Sequence, residues 1–302
     1  MDLERFQGCL VGLAVGDSLG MPAEGLSQEE VARLFGRIVD LKDGWLPAGY
    51  TTDDTAQALI LAESLVGRGY LDADDVARRL LEWYSSCPPD IGTHTRRVLS
   101  LMEAGMSWQE ATAEVERRYQ PLTAGNGSLM RCAPVAMRYA NDLAQLLEAS
   151  HLSSQITHPH PLACYSCAFF NCVLSRVLRG YDKFSAFSFA MEVMAHAPYE
   201  LLERVEGVPS KSREELSPTG FVLDTLECAL WAWWNFNDWA EAIIALVNMG
   251  GDTDTNAAVA GALLGAQYGL GSIPEKWRFQ VKEVPRCLEL AERLLALARG
   301  DS

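Results

Sequence analysis

Apolar positions recur along this chain at helical spacing rather than strand spacing. Val76, Leu80 and Trp83 form one stripe, Leu143, Leu146 and Leu147 a second, and Leu288, Leu290, Leu294 and Leu297 a third. Residues three and four apart share one face of a helix, whereas the alternation that marks half-buried strands is nearly absent. Breaks at Gly67-Arg68-Gly69, Cys87-Pro88-Pro89, Gly125-Asn126-Gly127, His158-Pro159-His160-Pro161 and Gly269-Leu270-Gly271 predict turns between helices. The fold class expected is all-α. Residues 205 to 219 form the one long polar stretch, a surface loop or a lid rather than a domain boundary, so residues 1–302 are expected to make a single domain.

Two helical segments are rich in small residues. Gly8, Gly12, Gly16 and Gly20 repeat every four positions, and Ala257, Gly261 and Gly265 do the same near the other end. Glycine inside a helix costs up to about 1 kcal/mol relative to alanine, so such a row implies that another backbone approaches closely.

With 302 residues the chain can bury a large core without disulfide support, and its eight cysteines show no framework spacing. Cys164 and Cys167 form a single CxxC inside an apolar run, which reads as a reduced pair in a buried helix, since no second pair completes a zinc site. A net charge of −15 disfavours nucleic-acid backbone binding. No signal peptide is expected, and no segment reaches the roughly 20 apolar residues of a membrane span. A cytoplasmic location is expected.

The candidate chemistry lies at two helix entries. Thr51-Thr52-Asp53-Asp54-Thr55 precedes an amphipathic run, where a threonine cap and acids at the positive helix end would suffice to explain the pattern. Asp252-Thr253-Asp254-Thr255 enters a helix that is apolar almost all round and must be buried. Carboxylates at such a place carry a desolvation cost that a cation offsets, and hard divalent ions favour carboxylate and hydroxyl oxygens. Asp53, Asp54, Asp252 and Asp254 would balance two divalent ions. Neighbouring helix residues diverge by about 100°, so Asp53 and Asp54 would serve different edges of such a pair. Three loops carry residue types suited to a phosphate or sugar: Gly125-Asn126-Gly127-Ser128, Asp90-Ile91-Gly92-Thr93 and Thr157-His158-Pro159-His160. Each alone is equally an ordinary turn. The aromatic run Trp231 to Phe236 reads as core packing.

Taken in order, Gly8 to Gly20 with Glu24, Thr52-Asp53-Asp54-Thr55, Asp90-Ile91-Gly92, Gly125 to Arg131, His158-Pro159 and Gly250 to Thr255 resemble the motifs of the ADP-ribosylglycohydrolase family. The likeness spans nearly the whole chain and is greatest to the arginine-directed, dinitrogenase-reductase-activating branch. It implies an orthogonal bundle around a cleft with two Mg²⁺ or Mn²⁺ ions, held by Thr52, Asp53, Asp54, Asp252, Asp254 and Thr255. It further implies hydrolysis of the bond between ADP-ribose and a protein side chain, with mono-ADP-ribosylated protein or an ADP-ribosyl small molecule as partner and ADP-ribose as product. Asp90 matches the acid of the arginine-directed branch and Glu24 that of the serine-directed branch; Asp90 is favoured as general acid and Glu24 as a gating group. Gly125, Asn126, Gly127 and Ser128 match the diphosphate cradle, and His158 a contact to the distal ribose or phosphate.

Two other readings compete. Prenyl-diphosphate synthases also set aspartates on facing helices, but they need DDxxD, and Gln57 stands at the fifth position here. An inactive binding or structural protein on the same scaffold would not need all four aspartates, both threonines and Asp90. Hydrolysis of another ADP-ribosyl linkage, to serine or a small molecule, remains an alternative within the family.

Overall fold

The computed structural model describes residues 1–300 and contains sixteen α-helices among them. In chain order they are α1 (Leu3–Gly20), α2 (Gln28–Phe35), α3 (Asp53–Arg68), α4 (Ala73–Ser85), α5 (Thr93–Glu103), α6 (Trp108–Tyr119), α7 (Ala133–Arg138), α8 (Leu143–Gln155), α9 (Pro161–Leu178), α10 (Lys183–Val193), α11 (Tyr199–Gly207), α12 (Val222–Asn235), α13 (Trp239–Val247), α14 (Thr253–Tyr268), α15 (Glu275–Gln280) and α16 (Val284–Arg299). The only β pairing among the described residues is an isolated antiparallel bridge between Gly125 and Phe221. The fold is all-α, and the glycine and proline clusters mark helix ends and the turns between them, with Gly67 and Arg68 closing α3 and Pro161 opening α9.

The small-residue rows meet each other. A Cβ built on Gly8 would lie 2.2 Å from the carbonyl oxygen of Gly265, one on Gly12 2.2 Å from that of Gly261, and one on Gly16 2.2 Å from that of Ala257. On Gly20 it would come within 2.3 Å of the Thr253 carbonyl. Each step of four forward along α1 thus meets a step of four back along α14, so the two helices run antiparallel with backbones in contact. The C-terminal end of α1 is thereby pinned to the first turn of α14. Both helices lie in the core: every residue of α14 from Thr253 to Ala266 is buried, as is every residue of α1 from Gly8 to Gly20.

Helix α9 is long and apolar enough to pass for a membrane span, contrary to expectation, but 83 % of it is buried inside the bundle. A core helix satisfies the same length and composition test. Cys164 and Cys167 are buried on this helix, and all eight cysteines are free thiols. The aromatic run closes α12 as core packing: Trp231 and Trp233 are buried, and Trp231 meets Phe236 edge-on at 5.6 Å between centroids. The stretch at 205–219 is tied to the body of the protein. The segment contains two 3₁₀ turns, Lys211 and Arg204 pair with the buried Glu227, and the carbonyl of Pro218 accepts from the amide of Asp252 at 2.8 Å.

Gly12→Ala should destabilise the protein by about 1–3 kcal/mol, because the added methyl meets a backbone carbonyl that cannot step aside. Gly67→Ala, at an exposed helical position whose nearest neighbour would be the Arg79 guanidinium at 3.8 Å, should be neutral or stabilising by up to about 1 kcal/mol. Urea denaturation of the two variants checks the contrast.

Candidate active site

Four loops meet where α1 ends and α3 and α14 begin. Thr52 caps α3 from an extended conformation, its hydroxyl oxygen accepting from the Asp54 amide at 3.3 Å. The acids that follow are buried, which simple capping does not require. Asp252 occupies the cap position of α14 but makes no capping bond; its Oδ2 instead accepts from Nδ2 of Asn126 at 2.8 Å. Gly250 and Gly251 adopt left-handed φ of 75° and 78°, where a side chain at Gly251 would strike the Pro218 carbonyl. This tight loop zips against the segment after α1: Gly251 donates to Leu26 O at 2.7 Å and Gly25 donates to Gly251 O at 2.8 Å. Glu24 is thereby delivered to the same place as Asp252 and Asp254.

Asp53 and Asp54 diverge as helix geometry requires. Asp53 Oδ2 accepts from the amide of Gly92 at 3.2 Å and from Gln57 Nε2 at 2.9 Å, beside Asp90. Asp54 Oδ2 accepts from the hydroxyls of Thr52 and Thr255, each at 3.3 Å. The resulting cleft, about 210 Å³, is lined by Glu24, Asp53, Asp54, Asp90, Asp252, Asp254 and Thr255 at one end, with Asn126 bonded to Asp252, and by Gly125, Gly127, His94 and His158 beyond them. Gly127 has no side chain because the His158 ring lies there, 2.8 Å from where a Cβ would sit. Thr52 faces a neighbouring cavity of about 220 Å³ that shares Asp53 and Asp90 with the cleft.

Ser128 departs from the expected cradle. Its hydroxyl is buried and bonded to Ser154 Oγ at 2.8 Å, with Cys167 Sγ donating to it at 3.5 Å, so the side chain faces the interior while the glycines beside it face the cleft.

A family model described as ADP-ribosylglycohydrolase matches residues 1–302. The chain belongs to the ADP-ribosylglycohydrolase family. It is 34% identical over 307 residues to an ADP-ribosylarginine hydrolase of Serratia proteamaculans (strain 568), covering 98% of this chain and 80% of that one. It is 31% identical over 304 residues to the ADP-ribosyl-[dinitrogen reductase] glycohydrolase of Rhodospirillum rubrum, covering 99% and 98%. A solved structure titled "ADP-ribosylglycohydrolase-related protein complex" superposes with a TM-score of 0.84 at 35% identity, covering 98% of each chain.

Several residues of this family member's site were not singled out by sequence reasoning. Asp17, fully buried on α1, accepts from the amides of Thr52 and Thr55 and, at 2.5 Å, from the Thr55 hydroxyl, so it fastens the start of α3 to α1. The available signal was an acid in the middle of an apolar, glycine-rich helix. Gln57, His94, Arg131, Thr157 and Thr225 also bond within the site; Arg131 and Thr157 stand inside recognisable motifs but with no role of their own assigned, and Gln57, His94 and Thr225 carry no local signature.

The acidic end is suited to hold a metal ion. Oxygens of Glu24, Asp90 and Asp254 lie within 4.8 Å of one another, and Asp54 Oδ1 is buried with no hydrogen-bond partner. No lysine or arginine lines the cleft among the described residues. Without a cation, burial first and neighbouring acids second hold Asp53, Asp54 and Asp254 well above the usual carboxylate range. Burial pushes Asp17 up to about 6, and burial with Asp90 and Asp252 pushes Glu24 up to about 7.

A group whose pKa is raised by folding stabilises the native state fully below its unfolded value, and that stability is lost as pH rises through the folded value. Glu24, raised from the ordinary 4.5 to about 7, therefore predicts that the metal-free protein loses stability from about pH 4.5 up to about 7.5. Buried His94 and His158, whose pKa values are lowered, act with the opposite sign below about 6.5, so the loss due to the acids is read free of them from about pH 6.5 to 7.5. Melting temperature in chelator should fall across the window, and added Mg²⁺ or Mn²⁺ should remove the fall; a flat curve in chelator would contradict the electrostatic assignment.

Proposed function

We propose that this enzyme hydrolyses the N-glycosidic bond between ADP-ribose and an arginine side chain of a modified protein, releasing ADP-ribose and reversing mono-ADP-ribosylation. The observation that carries the reading is a single cleft with six carboxylates at one end and glycine backbone and neutral histidines at the other, in a chain similar over nearly its full length to enzymes named for that reaction. Residues 1–302 serve as one catalytic domain. Its free thiols and lack of disulfides fit the reducing cytoplasm.

The donor set is all oxygen, which favours Mg²⁺ or Mn²⁺ over softer metals, and the aspartate charge fits two such ions held by Thr52, Asp53, Asp54, Asp252, Asp254 and Thr255. When bound, such a pair orients ribose hydroxyls and lowers the pKa of a water. The protein's own groups do the rest. Asp90, shared between the cleft and the neighbouring cavity, donates the proton that leaves with the arginine nitrogen as the C–N bond breaks, and the water that adds to the anomeric carbon gives up one proton, which restores the Asp90 acid. Glu24, whose Oε2 accepts from Trp45 Nε1 at 3.2 Å, gates the acidic end. Gly125 and Gly127 cradle the diphosphate with backbone N–H groups, Asn126 holds that loop in place through its amide N–H on Gly220 O at 3.1 Å and its side chain on Asp252, Ser128 supports the loop from behind, and His158 meets the distal part of the nucleotide.

Release of ADP-ribose from ADP-ribosylated arginine and serine substrates, side by side and with or without Mg²⁺ or Mn²⁺, tests the reading. Metal-dependent release from arginine is the expected result. Release from serine alone would move the catalytic assignment to Glu24, and no release from either with metal bound would overturn it. Asp90→Ala should lower kcat by about 100-fold or more while keeping metal and ADP-ribose affinity. Asp54→Ala and Asp254→Ala should lose metal binding and turnover together, as read by Mn²⁺ titration.

A further inference from the structure

Arg131 is fully buried just past the glycine loop, yet no carboxylate pairs with it among the described residues. A buried guanidinium without an anionic partner is costly, and an apolar side chain would fill the same space at less expense of stability. Its bonds run to two neutral side chains and one carbonyl. Nη1 donates to Gln57 Oε1 at 2.8 Å; Nη2 donates to Thr157 Oγ1 at 2.6 Å and to Ser153 O at 3.4 Å.

Each neutral partner passes the direction of the bond onward. With its oxygen held by Arg131, the Gln57 amide must present Nε2 on the other side, and Nε2 donates to Asp53 Oδ2 at 2.9 Å. The Thr157 hydroxyl accepts from Arg131 and keeps one proton and one lone pair; its other partner is His158 Nδ1 at 2.8 Å, and donation to that nitrogen is what gives the buried hydroxyl proton an acceptor. An imidazole nitrogen that accepts carries no proton, so the neutral ring bears its hydrogen on Nε2. That nitrogen lies against Gly127, 3.0 Å from where a Cβ would stand, at the wall of the cleft. His94 is fixed separately: its Nε2 meets the Thr157 carbonyl at 2.8 Å, which only accepts, so the two stacked rings, 4.4 Å apart, are both neutral donors.

We propose that Arg131 is a positioning residue that sets both ends of the cleft at once, aiming the Gln57 amide at Asp53 and, through Thr157, locking His158 as an Nε2–H donor toward an oxyanion of the bound nucleotide. This rests on the cleft being the ADP-ribose site. A guanidinium kept charged at neutral pH, its pKa lowered by burial only to about 10, orients both relays without adding a second charge to the substrate surface.

The test uses ¹⁵N-histidine-labelled full-length protein. Wild type should show a pyrrole-type nitrogen at Nε2 and a pyridine-type nitrogen at Nδ1 of His158. Thr157→Val, close to isosteric, should lose that fixed tautomer, weaken ADP-ribose binding about tenfold in calorimetry, and raise KM more than it lowers kcat. Thr157→Ser should restore all three. Arg131→Met should reproduce the tautomer loss and also weaken Mn²⁺ binding through Asp53, with Arg131→Lys recovering part of both; a purely structural arginine would change the melting temperature without moving the His158 spectrum. A wild-type proton on Nδ1, or a Thr157→Val protein with unchanged spectrum and affinity, overturns the proposal. The tautomer is read without substrate or turnover, so a protein that fails to bind ADP-ribose sinks the functional reading while the spectrum still decides the relay.

Discussion

Everything at the active site hangs on the backbone contact between α1 and α14. Four glycines on one helix let carbonyls of the other approach to where side-chain carbons would stand, which fixes both the separation and the register of the pair. A pair held apart by ordinary side chains has room to slide by a fraction of a turn; a glycine groove does not. The register puts Gly20 against Thr253 and Asp254, so the end of α1, Glu24 just beyond it, and the first turn of α14 arrive together. Asp17, one turn earlier on α1, then ties down the start of α3 through Thr52 and Thr55. Three helix termini are located by one contact and one buried carboxylate.

This construction places acids where an apolar core would be more stable. Asp17, Asp53, Asp54 and Asp254 are buried, and their pKa values are raised because ionised carboxylates lose hydration without gaining positive partners. The positive ends of α3 and α14 ease the cost only within their first turns. Ion pairs do exist in this protein, but at other places: Asp75 gathers Arg68, Arg78 and Arg79, and Glu227 gathers Arg204 and Lys211. Arginine and lysine are kept from the cleft itself, which leaves its charge to be met by an exchangeable cation instead of a fixed side chain.

How much of this was legible in the sequence follows from the range of the interactions. Helices, turns and the glycine rows are written in local periodicity, and the two Asp-rich helix entries stand out because acids at the mouth of an apolar helix conflict with burial. The rows could be read as a close contact, but not the antiparallel register between them. Facing is lost wherever tertiary packing decides it: Ser128 directly follows the cleft-lining Gly127 yet turns inward to Ser154. Likewise the stretch at 205–219 reads as a mobile loop from its polarity, while its carbonyls and lysine are used up by Asp252, Trp231 and Glu227. Arg131 and Thr157 lie 26 residues apart and have no shared signature until the chain is folded.

The cleft that results is electrostatically two-ended, and that ordering constrains how it works. A nucleotide diphosphate is an anion, and an acidic end without cations would repel it across a distance comparable to the Debye length of about 8 Å at physiological ionic strength. The far end offers glycine amides and the neutral imidazole of His158, donors that attract an oxyanion without adding a positive charge that would compete with a cation for the aspartates, while the N–H of neutral His94 is taken by the Thr157 carbonyl. Had His158 been protonated, it would bind phosphate more strongly and yet draw the carboxylates away from their oxygen-donor role. On the proposed function, neutral donors at one end and unpaired carboxylates at the other make sense together: a bound cation would turn the acidic end from repulsive to attractive, and a nucleotide would then be held by charge at its ribose end and by directed hydrogen bonds at its phosphates.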